Sequence, residues 1–482
     1  MSLVNQAFSG FKYVFLSSII SKAIILGGGI ILARILTPED FGLLAMLYII
    51  FEVSSFLMTA GFGLVLIREK SITEEDLSTV FWFNLLVSII LVLLVWILGQ
   101  RIVDFYNEPR LLWLSRLMSL NLIFSAFGIV QKSIFQRNLF FKKLSIVEVL
   151  SSVISIIVAI ILAYNNFGYY ALGVKYILTS LLATIMLYAF NPWKPKYFIR
   201  KKSFAKLFAF GGNVMLLGLV NTVSRNAHQI VIGKFFSVSS LGFFNQGNML
   251  KDNIVNTVST SISQVIFPIL SKIQEDKLKL KNAYSRILAV SSFVIFPLVT
   301  IFFFIAKPLI IFLLGVKWEG TVIFFKILLI GAALNHIHKI NLNVLKVCGK
   351  GSDYLMQGIF RNGITLTAVF IGLKYGAVGI AIGLVISEFI QLGINAYYSN
   401  KHIKFNLVEQ FNVMVPIISL NTFLVLFTVF CNHFFNFYSF YFLFIYPLIY
   451  LMLYILLSKL FKLTSLREIT QILYSRFPKL FL

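Results

Sequence analysis

The chain has 482 residues, of which 59% are hydrophobic and 12% charged, and its formal net charge is +24. It is too apolar for a soluble protein, and its apolar residues fall into runs of spanning length. Its two cysteines are too few for a disulfide framework. The expected fold class is an all-α integral membrane protein with about fourteen transmembrane helices.

In chain order the spans are expected near 12–33, 41–64, 78–99, 111–131, 144–164, 168–190, 207–232, 242–270, 284–305, 322–346, 354–374, 376–398, 411–431 and 439–460. The first is too long for a signal-peptide core and lacks an A-x-A pattern after it, so it is read as a retained span. Connections are short, which leaves no room for a soluble catalytic domain. Span one carries Lys22, with Ser18 and Ser21 before it and Gly28-Gly29 after it. Span two carries Tyr48, Glu52, Ser55 and Thr59 on one helical face. Span seven places Asn221, Arg225 and His228 on a stripe. Span eight reads Asn245, Asn248, Asp252, Asn256, Ser259 and Ser263 in steps of three or four. Asn335, His338, Lys339 and Asn343 lie on span ten, and Asp353, Gln357, Arg361 and Thr365 on span eleven. Glu388 is mid-way along span twelve. Beyond the last span, Ser465 and Glu468 have capping-box spacing, and Leu466, Ile469, Ile472 and Leu473 repeat at helical spacing beside basic residues. That pattern predicts a short helix lying on the membrane surface.

The chain repeats itself at an offset of 200 residues. Ile31-Leu32-Ala33-Arg34-Ile35-Leu36-Thr37 aligns with Val231-Ile232-Gly233-Lys234-Phe235-Phe236-Ser237. Phe41-Gly42 then falls on Leu241-Gly242, and Glu52 on Asp252. A later echo pairs Phe167-Gly168 with Tyr375-Gly376. Two halves related by repetition are a common build for a transporter. The expected organisation is an N-lobe at 1–200 holding spans one to six, a C-lobe at 201–400 holding spans seven to twelve, and a segment at 401–482 holding two further spans and the tail.

Basic residues alternate sharply between the two sets of loops. Lys194, Lys196, Arg200, Lys201, Lys202 and Lys206 share a side with Lys272, Lys277, Lys279 and Lys281, whereas the opposite loops are sparse. By the positive-inside rule both termini are cytoplasmic. The same face attracts anionic membrane lipids at about 1 kcal/mol per residue, so the charge does not call for nucleic acid. Cys348 and Cys431 are expected near opposite faces and unpaired.

A charge at mid-bilayer costs about 2.5–3.5 kcal/mol and needs a reason. Lys22, Arg225, His228, Lys339 and Arg361 are the candidate substrate-binding groups, since cations outnumber acids on the wet faces and favour an anion. Glu52, Asp252 and Glu388 are the candidate ion-coupling groups. The competing reading pairs the cations internally with those acids and lets Glu52 and Asp252 fix the fold of their own halves. His336 and His338 have too little acidic company for a metal site, so no metal is expected. Gly349-Lys350-Gly351-Ser352 lacks the spacing of a phosphate-binding loop, and no hydrolase or metalloprotease motif occurs in a loop. Neither enzymatic activity nor a cofactor is expected.

The segment Leu32-Ala33-Arg34-Ile35-Leu36-Thr37-Pro38-Glu39-Asp40-Phe41-Gly42-Leu43 resembles the first-loop signature of bacterial polysaccharide exporters of the colanic-acid/teichuronic-acid type. These are members of the multidrug/oligosaccharidyl-lipid/polysaccharide (MOP) flippase superfamily. Ser78-Thr79-Val80-Phe81-Trp82, His228-Gln229-Ile230-Val231-Ile232-Gly233, the segment Phe267–Gln274 and Leu314-Gly315-Val316-Lys317-Trp318 are similar to that family too. The resemblance implies alternating access of two six-helix lobes in the bacterial cytoplasmic membrane. It also implies an undecaprenyl-pyrophosphate-linked oligosaccharide as substrate, and a polysaccharide polymerase and glycosyltransferases as partners. Arg and Lys suit a pyrophosphate, and Asn, Gln and Ser suit sugar hydroxyls. The alternatives are a drug/cation antiporter of the same superfamily, which would centre on an acidic cavity, and a membrane polysaccharide polymerase or ligase, which would need a long external loop.

Overall fold

The computed structural model describes residues 22–69, 71–349, 351–434 and 442–476. Every regular element among them is helical. The chain divides into two compact units, Met1–Gly242 and Phe243–Leu482.

The first unit opens with α1, described from 22 to 35, then α2 (Pro38–Thr59) and a short α3 (Phe62–Arg68). α4 (Glu74–Tyr106), α5 (Leu111–Arg137), α6 (Phe141–Tyr164), α7 (Tyr169–Phe190) and α8 (Lys201–Phe235) follow. The starts of α2 and α4 are set locally by capping boxes. Thr37 Oγ1 accepts from the Asp40 amide while Asp40 accepts from the Thr37 amide, and Thr73 and Asp76 do the same. α2 ends where Ala60 and Gly61 both take left-handed backbone (φ 44° and 70°), so the expected span 41–64 is two helices rather than one. A side chain at Gly61 would meet the Gly211 carbonyl oxygen of α8, so glycine serves the turn and the close approach together. α8 packs along α2 within the first unit.

α9 (Val238–Lys251) begins at the repeat of the first turn. Ser237 Oγ accepts from the Ser240 amide at 3.2 Å, as Thr37 does from Asp40. The two helix starts touch reciprocally. A side chain at Gly42 would collide with the Val238 carbonyl, and one at Gly242 with the Pro38 carbonyl. Ser239 Oγ also donates to Glu39 Oε1 at 3.3 Å. Residue 38 touches 242, 42 touches 238, and 39 touches 239, which is the pattern of a local two-fold axis. The 200-residue repeat thus has a three-dimensional counterpart. Arg110, in the neighbouring turn, reaches Glu39 (3.2 Å) and Glu108 (2.8 Å), and its guanidinium holds the Glu108 carboxyl below the usual range.

The second unit continues α9 into a π-helical turn, Asp252–Asn256, and then α10 (Thr257–Lys272). α11 (Lys277–Phe304), α12 (Ala306–Leu314), α13 (Thr321–Ala332), α14 (Asn335–Cys348), α15 (Gly351–Leu373) and α16 (Gly376–Ile403) come next. α17 (Leu407–Phe434), α18 (Phe442–Leu460) and α19 (Thr464–Arg476) complete it. A buried polar network ties four of these helices. Gln410 Oε1 of α17 accepts from Tyr284 of α11 and Asn341 of α14, each at 3.1 Å, and Ser399 of α16 donates to Asn341 Oδ1. α18 is held to α11 for a different reason. Pro297 lacks the amide that would bond the Phe293 carbonyl, and Tyr454 fills the vacancy by donating to that oxygen at 3.1 Å.

Eleven described helical stretches are long and apolar enough to cross a membrane. The other three expected spans fall short for separate reasons. The first begins outside the described residues, the eighth is interrupted by the π turn, and the eleventh carries the Asp353–Thr365 polar stripe. A helix, α19, stands where the tail helix was expected, with Leu466 and Ile469 packed against the cluster of α11, α17 and α18, but the capping box at Ser465 and Glu468 does not form. The helix starts at Thr464, and Glu468 instead pairs with Arg286 of α11 at 2.8 Å. Cys348 and Cys431 are both free.

Candidate functional site

In the first unit the polar face of α2 meets that of α8. Glu52 is gripped on both oxygens, by the Arg225 guanidinium on one and by Asn226 Nδ2 at 2.7 Å on the other. Glu52 is only 18% exposed, whereas the Arg225 side chain is 68% exposed. Arg225 lies about 15 Å along α8 from its end at Phe235, well inside the apolar span. An exposed guanidinium at that depth has to face water or an anion, because hydrocarbon would cost several kcal/mol. His228, one turn on, is buried. Lys22 is exposed on the first described turn of α1.

In the second unit the candidates form two groups. Asp252 opens the π turn, pairs with Lys251 at 3.0 Å, and accepts from Asn256 Nδ2 at 3.3 Å. A π turn loosens the backbone ladder, and Lys339 of α14 exploits this. Its Nζ donates to the Asn256 carbonyl at 3.3 Å, to the Asn256 side chain, and to Thr260 Oγ1 at 2.6 Å. Lys339 therefore braces the turn that presents Asp252. The sequence carried no sign of the π turn beyond its density of asparagines.

The second group joins α14, α15 and α16. Glu388 Oε2 lies 3.0 Å from His338 Nε2, in ion-pair contact without an aligned hydrogen bond. His338 Nδ1 is 2.8 Å from Asn395 Nδ2, and Asn395 Oδ1 accepts from Gln357 at 2.8 Å. Gln391 continues the polar seam by donating to Thr365 Oγ1 at 3.2 Å. Arg361 is half-buried one turn before Thr365, and together with Lys251 it acts electrostatically on Glu388. His338, set aside as a metal ligand in the sequence, is thus the immediate partner of Glu388, one of the three coupling candidates.

Sequence reasoning missed Asn226, Asn395 and the membrane cations Lys175 and Lys326. The last sits 5.1 Å from the Phe303 ring centroid. Lys175 and Lys326 stand in apolar stretches without a polar stripe to announce them, whereas Asn226 and Asn395 lie beside or along polar stripes whose charged members drew the attention. No group of three or more histidine, cysteine or acidic residues suited to a metal occurs among the described residues.

A profile of the family described as "Polysaccharide biosynthesis protein" matches residues 31–323, more than half of the chain. The teichuronic acid biosynthesis protein TuaB of Bacillus subtilis is 23% identical over 87% of this chain and 90% of its own. The lipopolysaccharide biosynthesis protein WzxC of Escherichia coli is 23% identical over 81% of this chain and 80% of its own. Among solved structures, the lipid II flippase MurJ in an inward closed conformation superposes with a TM-score of 0.76 at 18% identity, covering 93% of this chain and 98% of that one.

Proposed function

Because the chain belongs to the family of polysaccharide biosynthesis proteins, we propose that it is a flippase for an anionic, lipid-linked oligosaccharide. It moves an undecaprenyl-pyrophosphate-linked glycan from the cytoplasmic to the outer leaflet of a bacterial cytoplasmic membrane, by alternating access, with both termini cytoplasmic. The observation that carries this reading is Arg225, whose side chain is 68% exposed deep within a membrane helix although its guanidinium also holds Glu52. A pyrophosphate head group cannot cross hydrocarbon bare, and a cationic wet face supplies the counter-charge. Lys22 and Arg361 add cationic surface on their own helices, His228 and Lys339 reach the substrate only once burial and the π-turn contacts are released, and the amides and hydroxyls beside them suit a glycan. The lobes at 1–200 and 201–400, with the two appended helices, are the moving parts, and the starts of α2 and α9 close one face when Gly42 and Gly242 interlock. Names such as teichuronic acid and lipopolysaccharide biosynthesis among the relatives favour a cell-surface polysaccharide pathway, with glycosyltransferases supplying the substrate and a polymerase receiving it.

Coupling is assigned to Glu388. Its carboxylate lies 3.0 Å from His338 Nε2, so a proton gained or lost at Glu388 alters its attraction to His338 and with it the contact between α14 and α16. Glu52 and Asp252 are both held by neighbours in their own units and serve the fold. In proteoliposomes the isosteric Glu388→Gln variant should bind substrate nearly normally but lose the acceleration that a proton gradient gives the parent protein. A variant that still responds fully to the gradient removes Glu388 from the coupling step. If the parent protein moves no lipid-linked glycan, the flippase reading itself fails.

A further inference from the structure

We infer that Arg116 and the aromatic side chains around it form a head-group site for an anionic glycerophospholipid, separate from the transport path. The observations lie wholly within the first unit and are independent of the transported substrate. α4, α5 and α7 leave a cleft of about 390 Å³ lined by Trp96, Trp113, Arg116, Leu117, Leu120 and Tyr170. The guanidinium lies 4.9 Å from the Trp113 ring centroid and 5.8 Å from that of Trp96. The Trp96 indole is fixed by donating to Ser119 Oγ at 3.2 Å.

Of the five N–H donors of a guanidinium, only one on Nη2 has a partner among the described residues, the Trp96 carbonyl at a long 3.4 Å. Nε is buried with no partner. No carboxylate lines the cleft among the described residues. A cation so placed, half desolvated and unpaired, is short of an oxyanion, and a phosphodiester presents two oxygens to its planar fork.

Depth and surroundings identify the phosphate as a lipid's. The apolar run of α4 ends at Leu98 and gives way to Gly99-Gln100-Arg101. Arg116 lies about 8 Å along α5 from its start at Leu111. Both place the site at the level where tryptophan and tyrosine gather in membrane proteins. Trp113 is 60% exposed and Trp96 46%, which leaves an apolar flank for an acyl chain beside Leu117 and Leu120. Arg116 lies against both tryptophan rings and no acid lines the cleft among the described residues, so a choline or ethanolamine cation meets a positive charge and no counter-charge here. An anionic head group such as that of phosphatidylglycerol fits better.

Native mass spectrometry of the purified full chain, incubated with equal phosphatidylglycerol and phosphatidylcholine, tests this site. The parent protein should retain one phosphatidylglycerol that Arg116→Gln loses, Arg116→Lys should retain it partially, and excess inorganic phosphate should not displace it. Trp113→Leu, a change at an exposed position, should also lower retention and serves if Arg116→Gln does not fold. Equal retention by the parent and both variants, or equal retention of phosphatidylcholine at this position, would overturn the proposal. Displacement by inorganic phosphate would show a simple anion site and overturn the lipid assignment.

Discussion

Valine in place of Gly42 or Gly242 is expected to abolish polysaccharide export, and alanine at either position to reduce it severely. At each position the obstruction is a backbone carbonyl, that of Val238 or Pro38, which has no side-chain rotamer with which to move aside. Overpacking typically costs about 1–3 kcal/mol. A flippase that has to close and reopen is sensitive to such a cost, because about 3 kcal/mol laid on one conformation shifts the balance between two states more than a hundredfold. The variants should therefore fold and reach the membrane while failing to bring the starts of α2 and α9 together. A cysteine at Ser239, with Cys348 and Cys431 replaced, should react faster with an impermeant maleimide once Gly42→Val is added. Normal export together with unchanged labelling would show that the reciprocal contact has no part in transport.

The next largest effect is expected at Arg225 and Arg361. Alanine at either should lower export about 10- to 100-fold at normal protein levels, the range expected for losing a charge-assisted hydrogen bond. Lysine should rescue in part, since a point charge replaces a bidentate fork. Arg225 also holds Glu52, so a charge swap separates its two roles. Glu52→Arg with Arg225→Glu restores export if the pair is only structural, and leaves it low if the guanidinium meets the substrate. Normal export by both alanine variants would remove these arginines from the substrate path.

Much of the fold was legible because its signals are local. Thr37 and Ser237 announce helix starts through their hydroxyls, and Gly42 and Gly242 repeat at the same distance behind them. The helices themselves follow from apolar length. What the sequence concealed depends on tertiary partners. The break at Ala60-Gly61 is favoured by the close approach of Gly211, and the π turn at Asp252–Asn256 is braced by Lys339, 83 residues away. Glu468 has capping spacing but is claimed by Arg286, an ion pair 182 residues apart in sequence. At the candidate site, polar stripes marked the right helices, since a charge in an apolar run stands out. They could not say which acid meets which cation. Glu52 meets Arg225 and Asn226, Asp252 meets its own neighbour Lys251, and Glu388 meets His338 rather than an arginine.

The central claim is that this chain moves a lipid-linked glycan across a bilayer. The most direct measurement reconstitutes the purified protein into proteoliposomes carrying an undecaprenyl-pyrophosphate oligosaccharide in both leaflets and follows its accessibility to an impermeant glycosidase. With an active flippase, cleavage should run past the half initially exposed and approach completion on a timescale of minutes, and Arg225→Ala should hold it near half. Cleavage that stops at half with the parent protein, as in protein-free liposomes, would contradict the account.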